Sequence, residues 1–170
     1  ISHFAVGGGL FLPLLEAKAL REGDELMRQW LRKHARFFLI VTSVFGASTG
    51  VGIWVAIGLV QPQGTQHLIR GFVLGWATEW VVFLAEMACI TVYYYAWDRL
   101  SSEKHLKVGY LYAMCSWLTL VVINGILSFM LTSGNWPRTH WMWSGFFNAT
   151  YWPSLFVRTV VAWALAGVYV

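Results

Sequence analysis

The chain has 170 residues, of which 58% are hydrophobic and only 12% charged, with 11 Trp, 11 Phe and 7 Tyr. Soluble domains carry about 25% charged residues, so this composition argues against an ordinary soluble enzyme, and it excludes a disordered chain, which needs low hydrophobicity and high charge. Two cysteines, Cys89 and Cys115, make neither a disulfide framework nor a zinc cluster. The net charge of +4 does not point to nucleic acid, because the charges gather in two short stretches, Lys18 to Arg36 and Asp98 to Lys107.

Between these stretches lie long apolar runs. Phe37 to Val60 and Val108 to Thr132 carry no charge, and Gly71 to Trp97 carries two glutamates only. A bilayer core takes about 20 helical residues, so each run is long enough to cross it. Ile1 to Leu15 and Ser154 to Val170 are shorter apolar ends, and no initiator Met or cleavable signal peptide is visible. The expectation is an all-α integral membrane protein in one transmembrane helical domain, a piece of a longer subunit, with about five spans near 1–16, 37–60, 70–97, 108–132 and 154–170.

Every Lys and Arg except Arg70, Arg138 and Arg158 falls in the connections between spans one and two and spans three and four. Those basic connections are expected to face the cytoplasm, which puts the start of the chain on the outer side. Trp136, Trp141, Trp143, Tyr151 and Trp152 crowd the charge-poor fourth connection, as amphipathic rings do at headgroup level, and a short helix lying flat fits there. The sequon-like Asn148-Ala149-Thr150 is given no role. Gly7, Gly8 and Gly9 open the first helix, and Gly46, Gly50 and Gly52 dot the second. Such glycines serve close helix packing, the commoner use, or close approach to a flat cofactor.

Polar groups at membrane depth are costly and usually functional. The candidates are His3, Glu79, Glu86 and Arg158, with Asn124 as an uncharged fifth. From the helical rise, Glu86 lies about 17 Å and Glu79 about 27 Å above Trp97, and His3 about 20 Å above Glu16. Glu79 and Glu86, seven residues apart, share a helical face. On chemistry alone two readings stay open for each group. His3 is a haem or metal ligand, or a hydrogen-bonded structural histidine. The glutamates form a proton relay, or Glu79 pairs with Arg158 and holds helices together. His34 and His105 are read as solvated in the basic connections, and His67 and His140 as outer-loop residues.

Glu86 to Leu106 reads EMACITVYYYAWDRLSSEKHL. This segment resembles the end of the third helix of cytochrome bd-type oxidase subunit I, with its Glu, aromatic run, Trp-Asp-Arg-Leu and following His. Ser2-His3-Phe4, Thr49-Gly50 and Asn124-Gly125 fit the same family. The resemblance implies that His3 is the axial ligand of a high-spin haem, of b or d type, and that Glu86, with Glu79 beside it, delivers protons. Arg158 and Asn124 then belong to the cofactor surroundings. The family's upper Glu stands eight residues before the lower one, whereas here the gap is seven. Phe156-Val157-Arg158-Thr159 stands where the family has Phe-Val-His-Thr, whose His holds the low-spin haem. Arginine stays charged and does not ligate iron, so the low-spin haem b site of helix five is expected to be absent.

The resemblance therefore implies a haem-binding subunit of a bd-type respiratory oxidase, passing electrons to oxygen with proton uptake. The alternative is a haem-poor or haem-free bd-like anchor or proton-channel module of a larger cytochrome complex. Expected partners are the lipid bilayer, other membrane subunits of a respiratory complex, and quinol or a c-type cytochrome as electron donor, with no nucleic acid. The expected location is the cytoplasmic membrane of a prokaryote.

Overall fold

The computed structural model describes the backbone of residues 2–169 and the side chains of residues 3–169, and the described residues are mostly helical with no strand. The chain runs through α1 (Ser2–Glu22), α2 (Glu25–Ile40), a π-helical segment (Val41–Gly46), α3 (Ala47–Val60), α4 (Pro62–Gly71), α5 (Val73–Tyr95), α6 (Ser102–Leu131), α7 (Trp136–Thr139), α8 (Met142–Phe146) and α9 (Tyr151–Tyr169). Three stretches are long and apolar enough to cross a membrane: Glu25–Val60, Val73–Tyr95 and Ser102–Leu131. The first and fifth expected spans correspond to α1 and α9, which pack on each other and on α6. Ile1 and Val170, at their expected ends, lie outside the described residues.

Helix boundaries depart from the apolar runs in one systematic way. The basic stretch from Lys18 to Arg36, read as a connecting loop, is almost wholly helical. The actual connection is Gly23 and Asp24. Gly23 takes φ +69°, the left-handed conformation glycine adopts without a Cβ penalty, and the Asp24 N–H closes on the Ala19 carbonyl at 2.9 Å. This is the Schellman ending of a helix. Asp24 then caps α2, its carboxylate accepting the Met27 N–H at 2.9 Å. Charge ends the apolar span without ending the helix, because Arg, Lys, Glu and Leu are all good helix formers. Likewise the loop expected over 61–70 is α4, opened by Pro62 in the first turn, where its missing N–H costs nothing.

α6 is the central element, packed against α1, α5 and α9. The glycine triplet of α1 explains how three helices crowd around it. Successive helical residues point about 100° apart, so each glycine meets a different neighbour. A Cβ on Gly7 would strike the Ala162 carbonyl of α9, one on Gly8 the Phe38 ring of α2, and one on Gly9 would sit 3.1 Å from the Tyr112 ring of α6. By contrast α3 packs mainly on the π segment and α4, meets α5 through Trp54, whose ring lies 4.2 Å from that of Trp76, and buries none of its residues within the chain.

Within the aromatic fourth connection, Asn148 ties the end of the bundle together. Its side-chain N–H groups donate to Ser128 Oγ at 3.1 Å and the Gly145 carbonyl at 2.8 Å. Its Oδ1 accepts from the Thr150 N–H at 3.0 Å and the Thr150 hydroxyl at 2.6 Å. Asn148 of the sequon-like triplet is therefore buried and turns the chain into α9.

Candidate functional site

Between α3 and the α5–α6 pair lies a cavity of about 490 Å³, walled by apolar side chains such as Ile53, Trp54, Trp76, Phe83, Leu120 and Ile123. Its polar lining is sparse: Glu79 and Glu86 from α5, Ser116 and Thr119 from α6, Thr42 from the π segment, Thr49 from α3 and Arg158 from α9. Small-molecule and cofactor sites have this character, about 300–1,000 Å³ of apolar wall with a few placed polar groups.

The π segment forms part of the wall, contributing Thr42 and Gly46, and π-helical turns are frequent at functional sites. One turn on, Gly50 also lines the cavity, and nothing lies within 4 Å of where its Cβ would be. Two glycine uses are thus separated in this chain. Gly7 and Gly8 serve helix packing, whereas Gly50 leaves open space.

Glu86 is buried at 4% exposure. The Thr119 hydroxyl lies 2.9 Å from its Oε2 and 3.1 Å from the Cys115 carbonyl. That hydroxyl has a single proton. Both contacts are satisfied together when Glu86 carries a proton and donates it to Thr119, which then donates to Cys115. Glu79 is half-buried, one heptad nearer the start of α5.

Arg158 is half-buried and lines the same cavity as Glu79. Among the described residues no carboxylate lies within ion-pair distance of it. Its Nε donates to Ser154 Oγ at 3.1 Å, Ser154 donates to Asn124 Oδ1 at 2.8 Å, and Asn124 Nδ2 donates to the Tyr151 carbonyl at 3.0 Å. Asn124, fully buried, therefore joins α6 to the start of α9 and steadies the guanidinium through Ser154. Asn124 itself does not line the cavity.

His3 is half-buried on α1 and makes no hydrogen bond among the described residues. It does not line the cavity, but Ala5 and Val6 of the same helix do, and Arg158 is close enough to act on it electrostatically. His67 and His140 are exposed, and His34 is half-buried with its ring stacked on Trp30.

His105 corrects the sequence reading. It is buried at 2% exposure, not solvated, and it meets Glu16, buried at 1%. His105 Nδ1 lies 2.6 Å from Glu16 Oε1, the Tyr93 hydroxyl donates to Glu16 Oε2 at 2.7 Å, and His105 Nε2 lies 2.8 Å from the Tyr93 carbonyl. A carbonyl only accepts, so Nε2 carries a hydrogen. The short contact at Nδ1 then holds one proton, either on the ring beside a carboxylate or on the carboxyl beside a neutral ring. Trp97 closes the pocket edge-on to His105, with ring centroids 4.6 Å apart, and Asp98 pairs with Arg32 of α2 at 2.6 Å. The Trp-Asp-Arg-Leu turn thus builds the wall around this cluster. Pro13 and Gly109 allow the approach of α1 to α6 there, a Cβ on Gly109 falling 3.0 Å from the Pro13 ring. No nearby sequence signal marks Glu16, which reads as the rim charge of a span.

Comparison with protein families gives a match over residues 1–170 to the family described as cytochrome bd terminal oxidase subunit I. Comparison with curated proteins and with solved structures returns no match.

Proposed function

The chain belongs to the cytochrome bd terminal oxidase subunit I family, and on that premise we propose that it is a haem-binding membrane subunit of a bd-type respiratory oxidase whose Glu86 takes protons toward the oxygen-reducing site. The observation that carries this reading is the convergence of Glu79, Glu86 and Arg158 on one apolar cavity. The cavity has the volume of a cofactor site, and Gly50 leaves room for a flat group against the helix backbone. These residues fit a haem.

His3, outside the cavity lining but in the same turn of α1 as Ala5 and Val6, which line it, and without a hydrogen-bond partner among the described residues, would hold the iron. The Arg158 guanidinium, steadied by Ser154 and Asn124, offers a two-pronged fork for a propionate. Haem supplies one-electron and oxygen chemistry when bound. Glu86 keeps a proton in a water-poor wall, where its bond to Thr119 orients it, and Glu79 stands one heptad further along as a second proton acceptor.

The proposed topology has five crossings, α1 and α9 included, the chain start outside and the Lys18–Arg36 region facing the cytoplasm of a prokaryotic cell. Partners are further membrane subunits, with quinol or a c-type cytochrome as electron donor. Arg158 favours a second reading with fewer haems, a bd-like anchor or proton module, since no imidazole stands at that place on α9. A reduced-minus-oxidised optical spectrum of the purified full complex decides between the two. Expected is a high-spin haem signal that His3→Ala removes while the protein stays inserted; an absence of haem absorbance overturns the oxidase reading.

A further inference from the structure

The Glu16–His105–Tyr93 cluster lies outside the cavity but in line with it. On α5, Glu79, Glu86 and Tyr93 follow at seven-residue intervals, and on α6, His105, Tyr112 and Thr119 do the same. Residues seven apart share a helical face, and the two faces meet: Thr119 bonds Glu86, and His105 bonds the Tyr93 carbonyl. An ionisable seam thus runs along the α5–α6 contact from the basic-loop end to the cavity. The step from the cluster to Glu86 is two turns of helix, roughly 10 Å.

That step contains Thr42 Oγ1, Tyr112 OH and Ser116 Oγ, all buried and all without a hydrogen-bond partner among the described residues. Thr42 and Ser116 also line the Glu86 cavity. Buried polar atoms are nearly always paired, with protein or ordered water, and a buried water needs two to four polar partners. Three orphaned hydroxyls beside a carboxyl meet that requirement.

We propose that the Glu16–His105 pair is the proton-uptake point of the subunit, passing its shared proton to Glu86 through waters held by Thr42, Tyr112 and Ser116; this rests on the proton role given to Glu86 above. Once Glu86 has released its own proton toward the oxygen-reducing site, the shared proton replaces it, and neutral His105 then faces the Glu16 carboxylate. A proton entering past the Trp97 ring, which covers the pair, then restores it. One proton moves inward and no net charge remains behind. Tyr93 holds Glu16 in register from α5, and α2 contributes the apolar Leu31 and Ala35 to the same buried cluster as Tyr93 and Trp97.

The test uses the full complex in lipid vesicles, with two readouts: proton uptake during oxygen reduction, followed with a pH dye, and hydrogen–deuterium exchange of the Glu86 carboxyl stretch in the infrared. Glu16→Gln keeps both hydrogen bonds, its amide N–H donating to His105 and its carbonyl accepting from Tyr93, but releases no proton. Tyr112→Phe removes only the orphaned hydroxyl. Both variants should slow uptake and exchange by at least about tenfold with haem content unchanged, while Glu103→Gln, exposed and paired with Lys107, should match wild type. Wild-type rates in Glu16→Gln and Tyr112→Phe overturn the proposal; if Glu86→Gln is still slow, the oxidase reading stands and protons enter elsewhere. Lower thermal stability in Glu16→Gln with wild-type exchange shows a structural fastener and overturns it equally. If wild type reduces no oxygen, the oxidase reading falls, and the exchange rates, which need no turnover, still decide the uptake point.

Discussion

Glu16 and His105, 89 residues apart in the chain, meet at 2.6 Å in a pocket that excludes solvent from both. A buried pair is costly to break, because removing one partner strands the other in a low-dielectric interior, at about 3–5 kcal/mol. Glu16→Leu strands both His105 Nδ1 and the Tyr93 hydroxyl. It should lower stability by that amount, measured by denaturant unfolding in detergent, whereas Glu16→Gln should stay within about 1.5 kcal/mol of wild type. Equal stability of the two variants would show that the cluster does not hold α1 to α5 and α6.

The glycines of α1 and α3 should respond in opposite ways. Gly7→Leu drives a side chain into the Ala162 backbone and should prevent a folded, inserted subunit. Gly50→Leu meets open space, so the fold should survive, and removal of a helical glycine even favours the helix by about 0.5–1 kcal/mol. Its side chain occupies the cavity, so haem content should fall. The haem-to-protein ratio and the unfolding midpoint, taken on the same samples, separate the two effects.

Asn148 makes four hydrogen bonds from one buried side chain. Asn148→Ala removes them all and leaves Ser128 and Thr150 to find new partners. A loss of about 1–3 kcal/mol is expected, read from the same unfolding curves. Because the amide nitrogen is engaged inside the protein, attachment of a glycan at Asn148 should fail in a microsomal assay of the folded chain.

Arg158 should show its role through two conservative changes. Arg158→Lys keeps the charge but loses the planar fork, so haem retention should weaken by about tenfold, the value of one charged hydrogen bond. Arg158→His places an imidazole at the α9 position and should add a low-spin feature to the optical spectrum. If Arg158→Lys retains haem as wild type does, the guanidinium does not hold a propionate.

Much of the architecture is legible in the order of residues. The apolar runs locate the long helices, and Glu86 stands out because a carboxyl among Leu, Ala and Met has no reason to lie on a lipid-facing surface. What the order hides is where a span ends and where a polar side chain points. Lys18, Arg28 and Arg32 read as loop because charge interrupts hydropathy, yet their helix propensity carries α1 and α2 straight through the interface. Glu16 and His105 sit at the edges of apolar runs, where a charged residue is ordinarily solvated. Only the approach of α1 to α6, made possible by Pro13 and Gly109, turns two rim residues into an interior pair. Asn124 stood out as polar at depth, but its direction toward α9 depends on Tyr151 and Ser154, distant in sequence.

The unbroken helical stretch Glu25–Val60 has 36 residues, a length of about 54 Å, against a hydrocarbon thickness of about 30 Å. The surplus is the charged turns of α2, which stand as a stiff post in the headgroup zone and beyond. Arg36, the last charge before the apolar run, is six residues from Thr42, so the cavity wall begins about 9 Å deeper along the same rod. Because α2 is packed on α1 and α5 and Arg32 is tied to Asp98, this one rod fixes the height of the cavity wall relative to the basic turns.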